Sequence, residues 1–254
     1  NAVKYYVTFG GRQIGQMIGK KIIESEELDK VREAKESRTI EFFMGSLDDT
    51  QALFLYNGLM ETLQEYLDDG TLVCKSGNMT FDSTGILRWD QDAAQAKMKS
   101  ILDEFYQEEK TPNIIITASD EFAIGVQELL EERGILSDSE EWPVITGYGS
   151  EMQAVKDVAE GKITLTTYLD RKELAQGGAK MALDYLAGEK VDVKDYSQYD
   201  NGVKIIGTVT CDGKLIDKDN YQILVDNGFY LAEMIAPEAS PTPVPEEVSP
   251  TPEV

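Results

Sequence analysis

Histidine is absent from the 254 residues, and cysteine occurs only at Cys74 and Cys211. Without an imidazole the chain lacks the usual zinc ligand and the usual neutral-pH base, which argues against metallohydrolase and triad chemistry. The two cysteines lie far apart, in Leu-Val-Cys-Lys-Ser and Thr-Cys-Asp-Gly. They make neither a disulfide framework nor a metal cluster and read as independent thiols. Positive charge is scarce: 24 Lys and Arg face 47 Asp and Glu, a formal charge of -23. Such a field repels a phosphate backbone, so nucleic acid is not an expected partner. Long apolar runs are missing too. Stretches such as Asn113 to Ala118 are too short to span a bilayer, and the first residues lack the basic start and apolar run of a signal peptide. Asn1 lies a few residues before a strand-like run with no initiator methionine, so the chain is expected to be a mature or excised piece of something longer.

Phosphate-binding motifs fail on spacing. Gly10 and Gly15 are five apart, but Arg12 occupies the middle position of a dinucleotide fingerprint, and no Gly-Lys-Ser/Thr loop exists. No cofactor and no metal are expected. Gly15-Gln-Met-Ile-Gly19 reads as helix packing, and Asp48, Asp49, Asp90 and Asp92 read as helix-start aspartates rather than a catalytic carboxylate pair.

What the chain does have is a repeating unit. Strand-like runs at Lys4 to Phe9, Thr39 to Met44, Leu72 to Lys75, Asn113 to Ala118, Val144 to Gly147 and Ile163 to Tyr168 alternate with helical patterns. Those helices carry Ile14, Met17, Ile18, Lys21 and Ile22; then Leu53, Leu55, Tyr56, Leu59, Met60 and Leu63; then Ala93, Ala96, Ile101 and Phe105. Further helices run from Glu121 to Glu132, through Met152, Val155 and Val158, and from Arg171 to Leu186. The spacing predicts an α/β fold, a parallel sheet with right-handed crossovers and helices on both faces. From Pro237 on the composition turns proline-rich without aromatics, the signature of a disordered spacer or stalk.

Ligands in open α/β sheets bind beyond the carboxyl ends of the strands. Here the loops at those ends are polar, acidic and hydroxyl-rich, a rim suited to a neutral polyol. Trp89 lies in one of them, just ahead of a helix. An indole there either caps a surface between lobes or offers a flat apolar face to the C–H patch of a sugar.

Several of these loops carry a family resemblance. Tyr-Tyr-Val-Thr-Phe at 5 to 9, Gly-Ser-Leu-Asp-Asp-Thr-Gln-Ala at 45 to 52, Leu-Arg-Trp-Asp at 87 to 90 and Tyr-Asp-Asn-Gly-Val-Lys at 199 to 204 resemble the xylose and multiple-sugar-binding branch of the periplasmic binding proteins. The closing stretch from Asn220-Tyr221 to Phe229-Tyr230 is similar as well. The resemblance implies a type I binding protein whose two lobes close on a monosaccharide such as xylose. It also implies delivery to an ABC transporter permease, signalling to a membrane sensor in some members, and no catalysis. The expected location is extracytoplasmic, with a lipid anchor in the full-length protein.

The family's sugar-bonding positions fall on Asp49, Gln51, Ser119, Gly149 and Leu169, with Trp89 at the aromatic platform. Asp49 and Trp89 keep the pattern. Gln51 and Ser119 replace asparagine, Gly149 replaces aspartate, Leu169 replaces lysine, and Gly10-Gly11 replaces Asp-Asn. A micromolar site is worth about 8 kcal/mol and a charged hydrogen bond about 1.5 to 3 kcal/mol. Weakened or altered sugar binding is therefore expected.

Family members also carry roughly a hundred residues, most of one lobe, before the first strand here. Residues 1–10 are then expected to be the last strand of that lobe and 11–167 the sugar-binding lobe. Residues 168–235 would supply a crossover helix and hinge-return segments, with 236–254 the tail. The helix from Arg171 to Leu186 is expected to leave an apolar face uncovered. Two other readings stay open, a degenerate non-transport sensor or interaction module on a proline-rich stalk, and the effector core of a LacI-like regulator.

Overall fold

The computed structural model describes residues 3–236, so the proline-rich segment from Pro237 on lies outside the described residues. Strands and helices alternate along most of the chain: β1 (Tyr5–Phe9), α1 (Gly11–Ser25), α2 (Leu28–Ala34), β2 (Arg38–Phe43), α3 (Thr50–Asp68), β3 (Leu72–Val73), α4 (Phe81–Thr84), α5 (Gln91–Phe105), β4 (Ile114–Thr117) and α6 (Asp120–Glu132). Then come β5 (Val144–Thr146), α7 (Met152–Glu160), β6 (Leu165–Tyr168), α8 (Arg171–Leu186), β7 (Gly207–Cys211), β8 (Lys214–Asp217) and α9 (Ile223–Asp226).

Two sheets form among the described residues. A six-stranded sheet has the order β3-β2-β4-β5-β6-β8, and β1 pairs with β7 in a separate two-stranded ribbon. All pairings are parallel except that of β6 with β8, where Thr166 faces Ile216 in an antiparallel register. The parallel sheet expected from the sequence is present, with β8 added as one antiparallel edge strand. Leu215 and Ile216 are flanked by charged residues, so a four-residue strand there carried too little apolar pattern to be read.

The inner strands are buried on both faces, and their residues divide by the period of two. Ile40, Phe42, Met44, Ile114 and Ile116 pack beneath α1 and α3 with Ile14, Ile18, Leu55, Leu59 and Leu63. Phe43 and Ile115 face the other way, into a cluster with Met98, Leu102, Phe122, Val126 and Val158 from α5, α6 and α7. Glu41, also on that face and fully buried, accepts from the Ser76 amide at 3.0 Å, the Ser76 hydroxyl and the Tyr106 hydroxyl at 2.9 Å. Its bonds tie the loop after β3 to the end of α5.

Helix faces were legible with two exceptions. Leu53 on α3 is exposed, and Tyr66 is buried in its place. On α5 the buried stripe is Ala94, Met98, Ile101 and Leu102, while Ala93 and Ala96 point outward. The larger side chains Met98 and Leu102 decide which face turns inward, since burial scales with apolar area.

Close approach of α1 to α3 depends on Gly15, Gly19 and Gly58. A methyl on Gly15 would run into the Leu55 carbonyl, on Gly58 into the Arg12 carbonyl, and on Gly19 into the Thr62 hydroxyl. Helix α8 buries none of its residues, and its glycines Gly177 and Gly178 bring its backbone close to Val7 of β1. The apolar face expected to lie uncovered is partly covered: Leu174, Gly178 and Met181 are half-buried, while Leu183 and Leu186 are exposed.

Candidate functional site

Parallel strands end together, and the loops that follow them carry the candidate residues. After β2 the chain turns through Gly45 to Asp49. Ser46 donates to Asp48 Oδ1 at 2.6 Å and accepts from the Arg88 amide at 2.9 Å. Asp49 caps α3, accepting from the Gln51 amide at 2.8 Å, and Asp90 caps α5 in the same way. Both aspartates are helix starts, as their positions predicted.

Trp89 ends a single turn of 3-10 helix, Leu87–Trp89. Arg88 and Trp89 both hold positive φ, 58° and 56°. A side chain in that region costs about 1–2 kcal/mol, a strain that occurs at sites where geometry matters. The half-buried indole stacks on Phe122 with centroids 6.0 Å apart and planes at 29°. Its six-membered ring lies directly over Gly45, where a methyl group would collide with it.

Trp89, Asp48, Asp49, Gln51 and Phe54 line a cavity of about 770 Å³. Tyr6 of the ribbon and the segment Gln198 to Asn201 complete its wall. Tyr199 meets Tyr6 and Phe54 edge-on, at 5.5 and 5.1 Å between centroids. The Gln51 amide donates to the Thr8 hydroxyl at 3.2 Å, so this side chain bridges α3 to β1. Three of the sequence-predicted residues, Asp49, Gln51 and Trp89, thus share one cavity.

Ser119 and Gly149 do not line it. Ser119 caps α6, accepting from the Glu121 amide at 3.1 Å. Gly149 takes φ +137°, and a methyl there would sit 3.4 Å from a carboxylate oxygen of Asp120. Leu169 packs beside the core beneath α1 and α3.

Tyr148 was missed. Burial, then Asp49 and Tyr199, push its phenol up to about 12, so it stays a neutral donor at physiological pH. Its only sequence signal was an aromatic between two glycines after a strand. Tyr199 did lie within a quoted motif, but its role as a cavity wall comes from a segment nearly 150 residues beyond Asp49 in the chain, and no local pattern reports that.

A second cavity, about 630 Å³, opens at the other end of the sheet near Arg38, Asn113 and Trp142. Its polar groups are engaged with one another: Asn113 Oδ1 accepts from Thr39 twice, and Lys75 pairs with Glu109. It lies at the amino ends of the strands, away from the ligand loops of such sheets.

A doubly covered parallel sheet, a cavity at its carboxyl ends and a separate ribbon closing one side define the class of type I binding proteins. The chain belongs to the periplasmic binding protein family, whose domain model matches residues 1–190. It is 33% identical over 234 residues to the multiple sugar-binding periplasmic receptor ChvE of Rhizobium radiobacter, covering 92% of this chain and 65% of that protein. It is 35% identical over 229 residues to the multiple sugar-binding periplasmic protein SbpA of Azospirillum brasilense, covering 90% and 63%. The chain therefore spans just under two thirds of these curated relatives. Among solved structures, an ABC transporter solute-binding protein from Clostridium phytofermentans with bound β-D-glucose superposes with a TM-score of 0.83 at 31% identity. That match covers 92% of this chain and 71% of the other. A D-glucose complex from Chloroflexus aurantiacus, at 19% identity and TM-score 0.72, shares the fold.

Proposed function

We propose that this chain is the sugar-recognising part of an extracytoplasmic solute-binding protein that serves an ABC transporter. The observation that carries this reading is the cavity in which the Trp89 indole and the Asp48 and Asp49 carboxylates meet. A pyranose offers an apolar C–H face and a ring of hydroxyls. The indole suits the first, and the carboxylates with the Gln51 amide suit the second. We read residues 11–167 as the main ligand lobe and β1, α8 and β7 as parts of the other. The relative holding β-D-glucose favours a hexose over xylose. A transporter permease, a membrane sensor and a lipid anchor belong to this reading as its partners and setting. No helix among the described residues is long and apolar enough to cross a membrane.

Titration with glucose, galactose, xylose and arabinose tests it. Trp89 fluorescence should change saturably with a hexose, in a Trp142→Phe background that leaves one indole. Asp49→Asn should weaken binding about tenfold, the scale of one charged hydrogen bond. Flat titrations with all four sugars would overturn the reading. They would favour the interaction module instead, which draws support from Ser119 and Gly149 standing off the cavity and from the partly uncovered face of α8.

A further inference from the structure

Asp120, the first residue of α6, is only 1% exposed. The Glu151 amide donates to its Oδ2 at 2.7 Å, and the Thr166 hydroxyl donates to its Oδ1 at 2.6 Å. The same Thr166 oxygen accepts from the Ser150 amide at 3.1 Å. One carboxylate thus fixes two consecutive amides of the loop between β5 and α7, one directly and one through Thr166. The loop is bent: Gly149 has φ +137° and Ser150 has φ +54°. A methyl on Gly147 would strike Asp120 Oδ1, so the carboxylate occupies the space that a side chain at 147 would need. From outside, the Tyr230 hydroxyl donates to the Ser150 carbonyl at 3.0 Å. The Ser150 hydroxyl is itself buried with no partner. Among the described side chains, Asp120, Thr166 and Tyr230 are the loop's hydrogen-bonded anchors.

We propose that Asp120 is a positioning residue for ligand binding, its ionised carboxylate holding the bend at Gly149 and Ser150 in the loop that follows β5 at the ligand end of the sheet, and a proton on it releasing the Ser150 and Glu151 amides. The inference rests on the sugar reading of the cavity. A proton on either oxygen converts an acceptor into a donor, and both oxygens already face donors. Burial raises Asp120 to about 6, against the pull of the Thr166 hydroxyl and the Glu151 amide. The charged and titratable groups around it are Glu121 on α6, Glu151 and Tyr148 on the loop, and Tyr230 from the segment after α9, with Arg171 acting on Glu151 and Tyr230. From β6 the neutral Thr166 faces it. With no histidine in the sequence, a binding profile that bends near pH 6 has a raised carboxyl as its source, and Asp120→Asn separates Asp120 from Glu151 on the same loop.

Calorimetric titration with D-glucose between pH 7.5 and 5.0 tests the proposal on wild type, Asp120→Asn and Thr166→Val. Wild type should lose about tenfold in affinity with a midpoint near pH 6, the scale of one hydrogen bond to a charged group. Asp120→Asn should bind with the low-pH affinity throughout. Thr166→Val should start weaker at pH 7.5 yet still fall with pH, because the Glu151 bond to Asp120 remains, and it decides the matter if Asp120→Asn does not fold. Amide exchange at Ser150 and Glu151 should lose protection, relative to the core strands, over the same range. Glucose binding that is flat with pH in wild type, or an Asp120→Asn profile that bends like wild type, overturns the positioning role alone. No glucose binding at any pH overturns the sugar reading together with it.

Discussion

Gly45 and Trp89 meet across forty-odd residues of chain, and neither works without the other. The glycine leaves room for the indole, and the indole, held at positive φ and backed by Phe122, presents its remaining surface to the cavity. Gly45→Ala should displace the ring at a cost of about 1–3 kcal/mol, as overpacking does. The expected readout is a shift of Trp89 emission and a loss of glucose affinity that Gly70→Ala, in an open loop, does not produce. At this scale Asp49 and Trp89 were legible because each stands next to the helix start it belongs to. Asp120 was not, since its partners come from elsewhere in the chain, the Glu151 amide from the loop after β5 and Thr166 from β6.

Elements were legible where burial is complete. The isoleucine run of β4 and the Ile40, Phe42 and Phe43 of β2 mark inner strands, and Gly15 and Gly19 read correctly as a packing face. Gly15→Ala should lower the urea midpoint by the equivalent of roughly 1–3 kcal/mol, because the added methyl meets α3 backbone rather than a side chain that can turn away. Gly125→Ala in α6, where nothing approaches nearer than 3.5 Å, should be neutral or stabilise by about 0.5–1 kcal/mol through helix propensity. The rotation of the α5 stripe shows the limit. Alanines on adjacent faces have equal weight in a periodic pattern, and only contact with Phe43 and Phe122 selects the Met98 face.

For the whole molecule, charge sets the response to pH. Asp120 is raised from 3.8 to about 6, and burial also raises Glu26, Asp157 and Glu151. A carboxyl raised in the folded state takes up a proton there before the unfolded chain does, so stability grows as pH falls through the folded value. For Asp120 that amounts to on the order of 3 kcal/mol once pH reaches the unfolded value. Carboxylates held low by partners, Asp69, Asp103 and Glu109, lose their contribution only below the usual carboxylate range. Partial titration of a chain at -23 eases self-repulsion in the same direction. The thermal midpoint should therefore rise from pH 7.5 to 5.5 while glucose affinity falls. A midpoint that drops over that range would contradict the assignment of Asp120.

The amino-acid sequence determined the alternation of strands and helices, the capping aspartates and the family, because each is written in local spacing or in short motifs. Tertiary structure decided which loops meet. The cavity joins residues near 6, 49, 89 and 199, and the Asp120 relay joins 120, 150, 151 and 166. The sheet order brings such distant segments together, and hydrogen bonds between them depend on distance in space rather than separation along the chain.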